Sequence, residues 1–308
     1  MRTTKLMYIW AKCLGVAGTF AAVHMGVNAQ QLKTRSVPLT QAEMHARVEA
    51  LYDFHPSKLT DAERSKKSAE MDHFWGEAKG DTARTLPLLR VELRDAPQGS
   101  FFLTDGSELL LSLSKTSEDK QLAADALART DLRDTQSRTY FFTVHDLACD
   151  GVNTTAAALH ILDNPTFRVS VPQHAMTLDQ RMALMYILLS MKDDSWVKPA
   201  AERFAVEKNV DGKIALVNAF FYEQTDSADA ELRKIASDNS QPDAVRKKAQ
   251  EFLNDAHKAA SNWIPVMGTV AGIREQRRQR LRAVSDEAVD DVETMTGKIV
   301  QLRAKGKT

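Results

Sequence analysis

Apolar side chains recur every three or four positions along most of this 308-residue chain, which is the period of an amphipathic α-helix. Thr40 stands three residues before Glu43, and Thr60 three before Glu63. Both pairs have the capping-box spacing that opens a helix. Met44, Val48, Leu51 and Tyr52 then fall on one helical stripe, which Pro56 stops. The second helix runs through Met71, Phe74 and Trp75 to Gly76 or Gly80, and a third over 82–95 carries Leu86, Leu89, Val91 and Leu93. Further helices are predicted over 107–114, 117–130, 136–149, 156–162, 177–191, 198–207, 213–224, 228–237 and 242–258. The stretch 177–191 is apolar almost all round, with Met182, Leu184, Met185, Tyr186, Ile187, Leu188 and Leu189. Such a helix belongs at the centre of a core.

Two stretches break the helical pattern. Residues 100–113 place Asp105-Gly106 between apolar runs, a hairpin dipeptide, and 167–171 alternates Phe, Arg, Val, Ser, Val like a strand. Both are short and are expected to be connectors in a mostly α chain, because 13 glycines are few for a β-rich fold.

The tail differs. Residues 259–272 form an apolar linker around Trp263-Ile264-Pro265-Val266-Met267, and 273–308 a long charged amphipathic segment. Ile273 to Ala304 is expected to be a single long helix. Its stripe of Leu281, Val284, Ala288, Val292, Met295, Ile299 and Leu302 approximates a coiled-coil seam, so the segment is also a candidate for self-association. Arg274, Arg277, Arg278, Arg280 and Arg282 crowd its start, where the helix macrodipole disfavours cations. That misfit points to a partner-binding role for these arginines, against an anionic surface or acidic protein, or to a fold-back onto acidic surface. A charged helix lying along the body is the plainer alternative.

Helix pairs begin near Ser107, Gln136, Thr177, Lys213 and Pro242, intervals in the range of stacked helical repeats. Their second helices share small and aliphatic positions, as in Leu122-Ala123-Ala124-Asp125-Ala126-Leu127 and Pro199-Ala200-Ala201-Glu202-Arg203-Phe204. The segment 243–253, with Val245-Arg246, Ala249 and Leu253, resembles the second helix of a HEAT-type repeat. The resemblance covers at most residues 100–258. It implies an all-α fold, an irregular HEAT-like α-solenoid of stacked helix pairs with a long C-terminal helix, behind an N-terminal helical cap over 41–99. An irregular, non-repeating helical domain is the alternative. Stacks of this kind expose an extended surface that takes a protein or peptide partner.

The first 29 residues fix an expected address. Arg2, Lys5 and Lys12 come with no acidic residue, an uncharged run covers 13–27, and Val27-Asn28-Ala29 precedes Gln30. This is the pattern of a cleaved secretory signal. The run is shorter than the roughly 20 residues of a membrane span, so no transmembrane segment is expected after cleavage, and 30–40 is expected to be a flexible leader. The protein is then exported, periplasmic or secreted. Full-length, 41 basic residues balance 41 acidic ones; losing the three leader cations turns the mature chain slightly acidic. Nucleic-acid binding, which needs a clearly basic face, is not expected. Cleavage also leaves Cys149 as the sole cysteine of the two, so the chain has no internal disulfide and is held by packing.

Candidate chemistry is sparse. His145 and Cys149 are four residues apart on one helical face, a spacing that can put two ligands on one zinc ion, with His160 and His174 to complete a tetrahedral set. The alternative leaves Cys149 as a small core residue. Asp72-His73-x-Trp75-Gly76-Glu77 gathers acids beside an aromatic ring, but acids five apart on a helix diverge by about 140°. Nucleophile-elbow, zincin, Walker A and dinucleotide motifs are lacking. The expected function is therefore that of an exported, non-catalytic helical-repeat scaffold without a cofactor. The alternative is an exported hydrolase or lyase, possibly zinc-dependent, working through His145 and Cys149.

Overall fold

Each of the first two helices begins where its capping box predicts. In α1 (Gln41–Tyr52) and α2 (Asp61–Gly80), the Thr40 and Thr60 side chains accept from the Glu43 and Glu63 amides, and each glutamate reaches back to the cap backbone. A side-chain cap of this kind contributes about 1 kcal/mol. The computed structural model describes residues 40–53, 58–132, 137–171, 176–259, 269–283 and 286–306. The expected signal peptide, nearly all of the leader, most of the 259–272 linker and His174 lie outside the described residues.

Among the described residues twelve further helices follow: α3 (Thr82–Asp95), α4 (Phe102–Leu113), α5 (Ser117–Leu127), α6 (Ser137–Cys149), α7 (Thr155–His160), α8 (Gln180–Ser190), α9 (Val197–Val206), α10 (Val210–Glu223), α11 (Asp226–Ser237), α12 (Asp243–Ala259), α13 (Val270–Leu281) and α14 (Asp286–Ala304). Thr116, Asp179, Asn209, Thr225 and Thr269 each cap one of them through a side-chain oxygen. The chain is all-α, with one antiparallel hairpin of β1 (Arg168–Val171) and β2 (Met176–Asp179) between α7 and α8. The alternating segment 167–171, expected to be a connector, instead supplies strand β1, with Val169 and Val171 turned into the core.

From α3 onward, successive helices pack in two tiers. One tier joins α3 to α5, α5 to α7, α7 to α9 and α9 to α11; the other joins α4 to α6, α6 to α8, α8 to α10 and α10 to α12. Alanines at the contacts (Ala123, Ala126, Ala157, Ala158 and Ala200 in the first tier, Ala148, Ala183, Ala215, Ala219 and Ala249 in the second) are all fully buried. Small side chains let helix axes approach closely while larger neighbours fill the grooves. As its composition predicts, α8 is central, with every residue from Ala183 to Ser190 buried.

Two further expectations are corrected. Residues 100–113 are not a connector: Phe102–Leu113 is helical, and Asp105-Gly106 lies inside α4. A Cβ on Gly106 would stand 2.7 Å from the Phe102 ring and 3.0 Å from Leu93, so glycine serves close packing there. The segment 273–304 is not one helix: α13 and α14 are separate and pack against each other. Val270 and Ile273 of α13 meet Met295, Ile299 and Leu302 of α14 in a small apolar cluster, while Leu281, Ala288 and Val292 join the main core. Folding back satisfies the apolar stripe within the chain, so these positions present no open coiled-coil seam.

Candidate functional site

His145 sits near the end of α6, fully buried, its ring stacked on Phe141 with centroids 5.6 Å apart. One helical turn on, the Cys149 sulfur lies 3.8 Å from its Nε2. The closer neighbour is Ser190, the last residue of α8, whose Oγ is 3.2 Å from Nε2. Ser190 donates its only proton to the Tyr186 carbonyl at 2.7 Å, so Nε2–H must donate to Ser190 and has no lone pair for a metal. Burial disfavours charge on the ring, but the Asp146 carboxylate and the Cys149 sulfur outweigh it and raise the pKa to about 9. Nδ1 has no hydrogen-bond partner and faces Asp146 across 3.9 Å.

The candidate zinc ligands do not come together among the described residues, and His174 lies outside them. His160 has both nitrogens engaged elsewhere, Nδ1 with Asp163 at 2.8 Å and Nε2 with the Thr130 carbonyl at 2.6 Å. Among the described residues no three His, Cys, Asp or Glu side chains converge. Ser190, His145 and Asp146 have the order of a hydrolytic triad, yet Ser190 and His145 are fully buried. The helix ends around them also present carbonyl oxygens, whereas an oxyanion needs N–H donors. Their geometry is that of a polar tie between α6 and α8.

The arginines of α13 explain what covers this tie. Arg282 donates to the Cys149 carbonyl at 2.6 Å, Arg278 to the Ser190 carbonyl at 3.2 Å, and Arg274 to the Gln224 carbonyl at 2.5 Å. Positions 274, 278 and 282 advance by one turn each, about 6 Å along the axis. They meet in order the C-terminal ends of α10, α8 and α6. The last carbonyls of a helix lack partners inside it and carry the negative end of its dipole, so one arginine row serves three helices. Arg277 goes deeper: almost fully buried, it pairs with Glu223 at 2.9 Å and donates to the Tyr222 carbonyl. Burial dominates this pair, holding the Glu223 pKa above and the Arg277 pKa below their ordinary values. Arg280 bridges to Asp291 of α14 at 3.1 Å. The cluster expected to meet a partner is thus engaged within the chain, and its misfit with its own helix dipole is resolved by the dipoles of others.

A second polar group, missed in the sequence, lies where α1, α2, α4 and α6 meet. Trp75 Nε1 donates to the Tyr52 hydroxyl at 3.2 Å, and Tyr52 in turn donates to Asp105. Glu108, one turn along α4, is raised to about pKa 7, first by burial and then by Asp105, against opposing pulls from Thr143 and Lys79. The Asp105–Glu108 spacing of three residues was the legible signal, hidden by the hairpin dipeptide. Asp72 and Glu77 do not pair: Glu77 instead joins Arg47 at 2.9 Å and His73 at 3.6 Å. Arg47, His73 and Glu77 rim an open cleft between α1 and α2, floored by Ala50, Leu51 and Phe74.

Fold and site together define an all-α protein of two-tiered helices with buried polar ties. No protein-family model, curated protein or solved structure matches the chain. No helix among the described residues is long and apolar enough to cross a membrane.

Proposed function

We propose that this chain is an exported, non-catalytic scaffold, a HEAT-like stack of helix pairs that binds a protein or peptide partner along its surface. The observation that carries this reading is the serial two-tier packing, in which each helix from α3 to α12 touches the next of its own tier. Repeating stacks bury their core between neighbours and leave an extended face for binding. The engagement of the α13 arginines moves the binding surface onto the tiers. Val206, at the end of α9, and Val210, at the start of α10, are the most exposed large apolar side chains among the described residues, at 70% and 37%, and this part of the surface is where we place the contact. Export rests on the basic and apolar pattern of residues 1–29.

Two experiments test the proposal. Tagged protein recovered from the exported fraction should begin at Gln30 and carry a stoichiometric partner. Val206→Glu should lose that partner with an unchanged melting temperature. A chain that keeps residues 1–29, or one that purifies alone, contradicts the proposal.

A further inference from the structure

Glu92, on α3, is a buried carboxylate with its side chain 4% exposed. Among the described residues, the hydrogen bonds to its two oxygens both come from α1: Gln41 Nε2 donates at 3.1 Å and His45 Nδ1 at 2.8 Å. The cation paired with this buried acid is therefore a histidine, the side chain whose charge changes near neutral pH. The other ring nitrogen of His45 faces Glu49 of α1 at 3.3 Å. A neutral ring would set a lone pair against one of these carboxylates, so the geometry calls for the imidazolium. The Glu92 hydrogen bond, with Glu92 and Glu49 charges behind it, raises the His45 pKa.

The same two N-terminal helices meet the body at a second titrating group. Tyr52 of α1 is buried edge-on against Phe102 at 5.3 Å and is tied through its hydroxyl to Trp75 of α2 and Asp105 of α4. Glu108 stands beside Asp105, with Thr143 of α6 and Lys79 of α2 as its other neighbours. Its ionisation puts a second negative charge next to Asp105 at the seam.

We propose that α1 and α2 form a proton-sensitive arm, docked on α3 and α4 in mild acid and loosened as the pH rises through neutrality. The signs agree at both contacts. A histidine with a raised pKa lends stability below its ordinary value of 6.5 and loses it as pH rises through the folded value. A carboxyl raised to about 7 favours the folded state while protonated and opposes it once ionised. Met44, Val48 and Tyr52 are buried at this contact and their apolar packing does not titrate, so pH acts on the polar part of the docking and not on the core of the body. Nothing in this device depends on the scaffold reading.

Hydrogen exchange of the purified full chain tests it, with rates corrected for their intrinsic pH dependence. Protection over 41–52 and 61–80 should fall by at least about tenfold between pH 5.5 and 8.0, the loss a carboxyl raised from 4.5 to about 7 produces over that range, while 180–190 in α8 stays level. His45→Gln leaves a half-exposed position and should already show the weaker protection of α1 at pH 5.5. His45→Gln combined with Glu108→Gln should flatten the pH dependence. Level wild-type protection across the range, a fall shared equally by α8, or an undiminished slope in His45→Gln overturns the proposal.

Discussion

Replacing Arg277 by alanine is the sharpest perturbation of the packing. The guanidinium is 2% exposed and is the partner of the equally buried Glu223 at 2.9 Å. Removing one member of a buried ion pair costs roughly 3–5 kcal/mol, because the other charge is stranded. Here the stranded group can escape by taking up a proton. Protonating a glutamate of ordinary pKa 4.3 at pH 7 costs about 3.7 kcal/mol, at 1.36 kcal/mol per pH unit, which caps the charge penalty. At pH 5 the same escape costs only about 1 kcal/mol. The Tyr222 carbonyl, which also accepts from Arg277, adds a loss of about 1–3 kcal/mol that does not vary with pH. Urea denaturation followed by circular dichroism should therefore show Arg277→Ala destabilised by about 4–6 kcal/mol at pH 7, and by about 2–3 kcal/mol less at pH 5. Adding Glu223→Gln should remove most of that pH difference. A loss below about 1 kcal/mol at pH 7, or one identical at the two pH values, would refute the reasoning.

Three further outcomes follow from the structure. Glu108→Gln should leave stability unchanged near pH 4 and raise it by up to about 3 kcal/mol above pH 7, since the wild-type carboxyl, raised to about 7, must ionise while partly buried; denaturant midpoints across pH 4–8 check this. Asp119 is buried and takes two hydrogen bonds from Arg90, both at 2.7 Å, which hold its pKa well below the usual range. Its contribution is present in full above the ordinary aspartate pKa and is lost as pH falls from there through the depressed folded value, so Asp119→Asn should cost about 2–3 kcal/mol at pH 7 and progressively less below about pH 4. Gly106→Ala should destabilise by about 1–2 kcal/mol despite alanine's higher helix propensity, because its methyl meets the Phe102 ring at 2.7 Å; a raised melting temperature would show that the ring yields freely.

What was legible in the sequence is what local chemistry decides. Thr40 with Glu43 and Thr60 with Glu63 specify their own helix starts, and the all-round apolarity of 182–189 specifies a buried helix whatever surrounds it, although 177–179, expected to open that helix, belong to β2. The tail was not legible in that way, since a stripe recurring at three and four residues reads the same whether its partner is another chain or the returning half of one hairpin. The arginines of α13 gave a true signal, cations at the wrong end of a helix with three of them one turn apart, but their partners are carbonyls of α6, α8 and α10. Which helix ends gather at one place is a property of the tertiary fold. His145 was singled out for its spacing to Cys149, yet the group that fixes its proton is Ser190, which reaches it only through the packing of α6 on α8. Likewise, Glu108 was obscured because Asp105-Gly106 has the chemistry of a turn when read without Phe102 and Leu93 around it.

Binding of another protein along the helical tiers is the function we propose. Cross-linking of the tagged chain in the exported fraction, followed by mass spectrometry, tests it most directly. One recurrent partner should be cross-linked to α3, α5, α7, α9 or α11 and lost in Val206→Glu. Cross-links confined to the chain itself, with no partner recovered, would contradict it.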